Sequence, residues 1–253
     1  MHNPVNAAYL CPFIDSQCLK RSQRSTAPYP VCSVWGGATR RAARLVCVCP
    51  KRFYEVNFFE HVIEHCWIGP KPTNPKISYE VKMKGFGQVD FVIADMDDAT
   101  HTVKNFVSVE LQSVDITGSV EPAYNAIVSD LPLEKAPIYG FNWANVRKRF
   151  ISQLIAKGFF HHQWGSRVVA VLQTHVYDEF RKYIAFDELP PQQGNIVFML
   201  YDYVPAPEQG DGFYSLELKR VVSTSHNSLM TGSLYRTAPL REDFCKKIIQ
   251  NIP

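Results

Sequence analysis

Two carboxylates and an amide, at Asp90, Glu110 and Gln112, are the side chains of this sequence best suited to chemistry. Asp90 lies in the run 85–94, and the other two residues lie in the run 105–114. Both runs are bounded by glycine or polar residues and are rich in β-branched and aromatic residues, so both are predicted to be strands. Because side chains alternate along a strand, Glu110 and Gln112 share one face.

Pairing of these two strands would bring Asp90 beside Glu110 and Gln112. Two carboxylates and an amide oxygen form a hard, oxygen-rich site that suits a magnesium ion, which can activate water against a phosphodiester. The competing interpretation is three solvated polar residues on half-exposed strands. An Asp on one strand and Glu-x-Gln on the next resembles the PD-(D/E)XK nuclease signature, with Val89 in place of its Pro and Gln112 in place of its Lys.

The cysteines provide a second chemical feature. Most of the seven lie near the N terminus, at Cys11, Cys18, Cys32, Cys47 and Cys49. Four thiolates around one metal ion can fold a loop-rich segment that is too short to build its own core. The spacing is not that of a zinc finger, and ordinary buried thiols are the alternative. Cys47 and Cys49 compete for the fourth position, since a strand would place both on one face.

Composition and charge predict a soluble globular protein that binds a polyanion. The chain has 253 residues, 46% of them hydrophobic, without an apolar run near the roughly 20 residues of a membrane helix. The net charge is only +3, but basic residues crowd the N-terminal segment: Lys20, Arg21, Arg24, Arg40, Arg41, Arg44, Lys51 and Arg52. No secretory signal is visible at Met1, so we expect a cytoplasmic protein whose cysteines stay reduced or bind metal, with no membrane association.

Three segments, in order along the chain, resemble the NotI-type restriction endonucleases. The cysteine segment does so through Cys11-Pro12-Phe13, Cys18 with Lys20, Pro30-Val31-Cys32-Ser33-Val34 and Cys49-Pro50-Lys51-Arg52-Phe53-Tyr54-Glu55. The run 110–118 is similar to that family's catalytic strand and its exit, and the run 142–149 is similar to a later helix. Three ordered matches, spread from about Cys11 to Gln173, are more specific than any one of them.

The resemblance implies a type II endonuclease that cuts duplex DNA at a short palindromic, GC-rich site. It implies a magnesium-dependent core in which Asp90 and Glu110 hold the metal and Gln112 orients water or a metal-bound oxygen. It also implies a structural metal, iron or zinc, bound by four cysteines, and it selects Cys49 over Cys47 as the partner of Cys11, Cys18 and Cys32. Thiolate tetrahedra accept both metals. We expect a homodimer, because a two-fold protein matches a two-fold site.

The predicted fold is α/β, a PD-(D/E)XK restriction-endonuclease-like core with a mixed sheet flanked by helices. Residues 1–52 are predicted to form the four-cysteine metal-binding segment, and residues 53–253 the nuclease core with a C-terminal hairpin and helix. The hairpin strands are predicted at 195–204 and 213–222, and the apolar run 167–173 predicts a central strand covered on both faces. The stretches 119–139 and 223–232 are predicted to lack regular structure.

Two predicted helices carry further candidates. The helix at 52–67 precedes the first catalytic strand, where this nuclease fold often supplies an accessory acidic residue, so Glu55 and Glu60 are candidates against the alternative of a solvated face. The helix at 142–157 is expected to end at Gly158 as its C′ residue. It offers basic and amide groups to DNA from Arg147, Lys148, Arg149 and Gln153, and Lys51 is a further DNA-binding candidate. Adjacent helix residues project differently, so one groove cannot take all of them.

Two other function classes remain open on sequence. The first is a non-catalytic DNA-binding module built on the four-cysteine metal, which a mobility shift without cleavage of plasmid DNA would reveal. The second is a zinc peptidase, because His61-Val62-Ile63-Glu64-His65 fits the H-x-x-E-H motif with two zinc-binding histidines and a glutamate base. That site needs a third ligand from a later helix, and no acidic helix is obvious downstream.

Overall fold

The computed structural model describes residues 9–21, 28–37, 43–133, 137, 139–235 and 239–252. The strands are β1 (Leu10–Cys11), β2 (Ser16–Gln17), β3 (Ser33–Gly36), β4 (Arg44–Cys47), β5 (Pro75–Met83), β6 (Gly87–Asp97), β7 (Thr102–Gln112), β8 (Ile116–Thr117), β9 (Gly140–Phe141), β10 (Arg167–Gln173), β11 (Ile196–Pro205) and β12 (Tyr214–Thr224). The helices are α1 (Phe58–Cys66), α2 (Glu121–Val128), α3 (Trp143–Asn145), α4 (Ile151–Gln163), α5 (Thr174–Arg181), α6 (His226–Leu234) and α7 (Arg241–Gln250).

A six-stranded mixed sheet in the order β12-β11-β10-β7-β6-β5 forms the centre of the molecule. Strands β7, β10 and β11 run parallel, and the remaining neighbours pair antiparallel. All seven residues of β10 are buried, which confirms the predicted central strand. The predicted hairpin at the C-terminal side is β11 and β12, and the α/β class with helices around a mixed sheet is also confirmed.

Each face of the sheet packs against its own helices. Val107 and Val109 of β7 contact the cluster that contains Phe58 and Val62 of α1. Val168, Ala170 and Leu172 of β10 point the other way, into the cluster formed by α4 and α5. Since alternate residues of a strand point to opposite faces, Ser108, Glu110 and Gln112 lie on the α4 side. No helix in the described ranges is long and apolar enough to cross a bilayer.

Two small hairpins precede the sheet. Strands β1 and β2 pair around the turn that follows Cys11, and strands β3 and β4 pair with Ser33 opposite Cys47. The second hairpin contacts the C-terminal ends of β10 and β11. Gln173 accepts a hydrogen bond from the Cys47 amide at 2.6 Å, and the Tyr203 hydroxyl bonds Ser33 Oγ at 2.5 Å. These contacts fix the cysteine segment at the C-terminal ends of the parallel strands.

The helix that was expected to stop at Gly158 continues to Gln163, so that prediction is wrong. Gly158 is buried in the middle of α4, where a Cβ atom would come within 2.7 Å of Ile196 Cδ1 and 3.0 Å of His226 Cβ. The glycine therefore permits close packing of α4 on β11 and α6. Regular structure also occurs in both stretches predicted to lack it, as α2 and as α6.

We predict that Gly158→Ala destabilises the protein by about 1–3 kcal/mol, because the added methyl group overpacks the contact with Ile196. Urea unfolding followed by circular dichroism measures the loss. Ala156→Ser, on the exposed side of the same helix, is the matched control and should change stability by less than about 0.5 kcal/mol. Equal stability of Gly158→Ala and the wild type would contradict this packing role.

Candidate active site and cysteine segment

Asp90 and Glu110 meet where the pairing of β6 with β7 ends. The last pair before this point is Phe91 with Val109, and the same register would next place Asp90 opposite Glu110. Beyond this point the Leu111 amide of β7 donates to a side chain of β6 and not to its backbone, because Oδ2 of Asp90 accepts its hydrogen bond at 2.8 Å. The two carboxylates predicted from sequence to converge therefore lie side by side on the α4 face of the sheet.

Lys157 of α4 is the third charged residue of this site, and the sequence analysis missed it. Its Nζ lies 2.5 Å from Oε1 of Glu110, and the lysine and glutamate side chains are only 5% and 10% exposed. Lys157 occupies an apolar-stripe position of α4, three residues after the buried Leu154. A lysine at that position was the available signal, since lysine is almost never fully buried unless it is paired.

Burial dominates the electrostatics of the carboxylates. It raises the pKa of Glu110 to about 7, an effect that the Lys157 ammonium partly offsets and the charge of Asp90 reinforces. Burial also raises the pKa of Asp90, against the Leu111 hydrogen bond and the charge of Lys157. Burial thus favours the neutral form of both carboxyl groups, and the charge of Lys157 opposes this effect.

Glu80 is a further acidic neighbour that the sequence did not indicate. It lies opposite Asp90, between the pairs Tyr79–Phe91 and Val81–Val89 of the β5–β6 ladder. Its charge contributes to the raised pKa of Asp90. Its backbone adopts a φ of +50°, a left-handed conformation that costs roughly 1–2 kcal/mol for a residue with a Cβ atom. Strain of this kind is concentrated at functional sites.

The donor atoms of the site fit a small divalent cation. Within the described part of the chain, Asp90 Oδ1 and Glu110 Oε2 accept no hydrogen bond, so each carboxylate keeps one oxygen for a ligand. Magnesium is usually held by one or two carboxylates together with substrate phosphates, and it does not need a complete cage of protein ligands. No three His, Cys, Asp or Glu side chains of the described residues, the four cysteines Cys11, Cys18, Cys32 and Cys49 included, are arranged to hold a metal ion by themselves.

Gln112, two residues after Glu110 on the same face of β7, opens onto a polar cavity of about 220 Å³ that neither carboxylate lines. Its Nε2 donates to the Ser113 carbonyl, which leaves Oε1 without a donor from the described residues. The cavity is lined by Gln112, Asp115, Asn145, Val146, Arg149, Phe150 and Gln153. Two of the predicted DNA-binding residues, Arg149 and Gln153, are therefore brought to the predicted catalytic strand.

A π-helical turn, Val146–Phe150, joins α3 to α4 and separates the basic residues. Arg149 lines the cavity with Gln112, whereas Lys148 lines another with Tyr183 and Met230. The side chain of Arg147 lies outside the described structure. The structure thus brings Arg149 to the site and directs Lys148 away from it. π turns of this kind frequently occur at functional sites.

A larger polar cavity of about 860 Å³ shares Asp115 and Asn145 with the first. The Asn145 amide donates to Asp115 Oδ2 at 2.8 Å between the two cavities. Lys20 and Arg21 of the cysteine segment line the far side. Lys51 is exposed in the same segment. A continuous polar surface therefore runs from the cysteine segment to Gln112.

Each of the two small hairpins carries two of the four predicted cysteine ligands. Cys11 is the last residue of β1 and Cys18 follows β2, whereas Cys32 precedes β3 and Cys49 lies two residues after the end of β4. The Cys32 and Cys49 thiols are hydrogen-bonded; this bond raises the pKa of Cys32 and lowers that of Cys49 to about 6. The charges of Cys11 and Cys18 also raise the pKa of Cys32, so the cysteines of the first hairpin lie close enough to affect Cys32.

Cys47 has different surroundings from Cys49. It is 1% exposed in the hydrophobic cluster under the sheet, and its Sγ donates to the Cys49 carbonyl at 3.1 Å. Strand β4 ends at Cys47, so Cys49 lies beyond the regular alternation that would have placed both on one face. The structure groups Cys49 with Cys32 and leaves Cys47 in the core.

The accessory acidic candidates do not lie beside Glu110. Glu55 Oε2 pairs with Arg52 at 2.9 Å and accepts the Leu216 amide at 3.1 Å. Glu60 is exposed on α1, which packs on the opposite face of the sheet. Glu55 and Glu60 were predicted as accessory acidic residues because they lie on the helix that precedes the first catalytic strand. In the structure Glu80 of β5, and not either of these, lies next to Asp90.

The H-x-x-E-H residues also have structural partners. His61 Nδ1 lies 2.8 Å from the Tyr201 hydroxyl, and its ring stacks on that tyrosine. Glu64 is 3.8 Å from His65 Nε2, at the surface. No later helix in the described ranges supplies a third ligand to them. The three motif residues therefore lie on one partly exposed turn of α1, with His61 packed against Tyr201.

Comparison with known families gives one match that covers most of the chain. A family model described as "Restriction endonuclease NotI" matches residues 4–215. The matched range contains the cysteine hairpins, the Asp90–Glu110 pair, the π-helical turn and Lys157. A search of curated proteins found no match.

We predict that Lys157→Met destabilises the protein by about 3 kcal/mol, because it leaves Glu110 buried without a partner. The double variant Lys157→Met/Glu110→Gln removes both charges and should recover most of that loss. Urea unfolding of the two variants and the wild type at neutral pH measures the difference. If the single variant proved as stable as the wild type, the buried ion pair would not contribute as described.

Proposed function

Because this chain belongs to the NotI restriction endonuclease family, whose members cleave DNA, we propose that it is a type II restriction endonuclease. It hydrolyses phosphodiester bonds of duplex DNA at a short palindromic, GC-rich site, with magnesium, on a PD-(D/E)XK core. The observation that carries the proposal is the convergence of Asp90 and Glu110 on one face of the sheet, each with one oxygen free.

In the proposed mechanism Asp90 and Glu110 would hold the cation, each with the carboxylate oxygen that its protein donor leaves free. A bound magnesium ion supplies positive charge that activates water and stabilises charge on the phosphate. Gln112 cannot act as a proton donor in the manner of a lysine, so its amide orients the attacking water. Arg149 and Gln153 line the same cavity and contact the DNA backbone or bases next to the cut.

The cysteine segment, residues 1–52, binds a structural iron or zinc ion through Cys11, Cys18, Cys32 and Cys49. The fit rests on the two hairpins, which place one cysteine pair each, and on the contact between Cys32 and Cys49. The described structure does not hold the four thiols in one metal-binding group, so metal binding would have to draw them together, with release of protons. Lys20, Arg21 and Lys51 on this segment face DNA phosphates.

The substrate and the assembly follow from symmetry. Two copies of the chain related by a two-fold axis match a palindromic site and place one carboxylate pair on each strand. Lys148 lies on a different surface from Arg149, so only part of the basic run contacts the same DNA segment. Arg147 completes the set of proposed DNA contacts.

We predict that Glu110→Ala abolishes cleavage while DNA binding remains. Loss of a metal ligand removes several kcal/mol of transition-state stabilisation, so the rate should fall by roughly 1,000-fold or more. Plasmid digestion with magnesium measures cleavage, and a mobility-shift assay with calcium measures binding. Glu64→Ala, at an exposed position of α1, is the control and should cut normally.

Discrete bands from the wild type, followed by sequencing of the cut ends, would identify the site. A mobility shift by the wild type with no cleavage would instead support a non-catalytic DNA-binding module. A fully active Glu110→Ala variant would remove the proposed mechanism.

We predict that Cys49→Ser abolishes binding of the structural metal, whereas Cys47→Ser leaves it bound, because only Cys49 contacts Cys32. Elemental analysis of the purified proteins gives the metal content per chain and distinguishes iron from zinc. Thermal unfolding should show a lower midpoint for Cys49→Ser. Equal metal content in both variants would contradict the assignment of the fourth ligand.

A further inference from the structure

Lys157 requires a functional explanation as well as a structural one. An ammonium group at a buried position is costly, and replacing a buried ion pair by apolar groups is often neutral or stabilising. Lys157 nevertheless lies in the centre of α4 with its side chain 5% exposed, and its Nζ contacts Oε1 of Glu110 at 2.5 Å. Its one hydrogen-bonded partner in the described structure is thus a residue of the proposed catalytic pair.

The two carboxylates are prepared for a ligand in the same way. Asp90 uses Oδ2 for the Leu111 amide, and Glu110 uses Oε1 for Lys157. Each donor fixes the orientation of its carboxylate and occupies one oxygen. The remaining oxygens, Oδ1 and Oε2, are those left for a cation.

Lys157 is held firmly enough to perform this role. One turn beyond it, His161 is fully buried against Phe86, Phe106 and Trp164, with ring centroids 5.5–5.9 Å apart. Phe86 belongs to the turn between β5 and β6, the hairpin that carries Asp90. This aromatic cluster therefore fixes the helix of Lys157 to the hairpin of Asp90.

We propose that Lys157 is a positioning residue of the nuclease site, whose ammonium holds Oε1 of Glu110 so that Oε2 alone is presented to the divalent cation. The proposal rests on the proposed function, because it assigns a role within the same carboxylate pair. Lys157 supplies from a helix the positive charge that Gln112 does not supply from the strand. It acts through Glu110 and does not contact the substrate.

The direct test measures affinity for Mn²⁺ alone, by calorimetry without DNA. Lys157→Met should weaken Mn²⁺ binding by about 10–100-fold, the usual effect of removing a group that orients a metal ligand. Lys157→Arg, which keeps a cation beside Glu110, should recover part of the affinity. Lys182→Met, at the exposed position directly after α5, where the lysine also pairs with a glutamate, is the matched control. Mn²⁺ affinity of Lys157→Met equal to or tighter than that of the wild type would overturn the proposal.

Cleavage kinetics provide an independent readout. Lys157→Met should lower kcat by about 10-fold or more and leave KM for DNA within about threefold, since Lys157 affects the reacting centre and not the DNA contact. A raised KM with unchanged kcat would overturn the positioning role. If Lys157→Met does not fold, Lys157→Gln replaces it. The shorter, uncharged amide should hold Oε1 less firmly and lower both Mn²⁺ affinity and kcat, and wild-type values for both would overturn the proposal.

A different result would contradict the proposed nuclease function itself. Wild type and Glu110→Gln with the same Mn²⁺ affinity would show that the carboxylate pair does not bind the cation. A different result would contradict only the role of Lys157. In that case the wild type binds Mn²⁺ strongly, Glu110→Gln loses binding, and Lys157→Met binds as tightly as the wild type.

Discussion

The buried contact between Lys157 and Glu110 is the constraint on which the rest of the molecule depends. A charged pair in a protein interior is stable only with close geometry, because each ion has lost its hydration. That geometry requires α4 to pack tightly on the sheet, and Gly158 permits the approach by leaving space for Ile196. The aromatic residues around His161 then fix the same helix to the β5–β6 turn. Packing and site chemistry are therefore coupled within one helix.

The sheet places the site at the C-terminal ends of its parallel strands. Strands β7, β10 and β11 are parallel, so their C-terminal ends, which carry Gln112, Gln173 and Tyr203, face the same side. Ligand sites of open α/β sheets commonly lie at this edge. Gln173 and Tyr203 contact the cysteine segment there. The basic residues of that segment and Gln112 consequently border one polar surface.

Arg52 adds a further connection between the two parts. Its guanidinium lies 4.6 Å from the Phe13 ring and 5.4 Å from the Tyr203 ring, and it donates to the Tyr214 carbonyl at 2.6 Å. The first cysteine hairpin is thus attached to β11 and β12 through one side chain. Arginine suits this role because its planar cation stacks on aromatic faces while its other donors remain available.

The sequence by itself determined the features that depend on local pattern. Alternation and β-branched content indicated the strands with Asp90, Glu110 and Gln112, and continuous apolarity indicated β10 as the central strand. Tertiary structure alone decided what depends on approach between distant segments. Lys157 read as an ordinary helix residue, Gly158 as a helix end, and Glu80 carried no signal. The physical reason is that a charge or a missing Cβ atom acquires its role from the group that packs against it, and that group lies 47 residues away for Lys157.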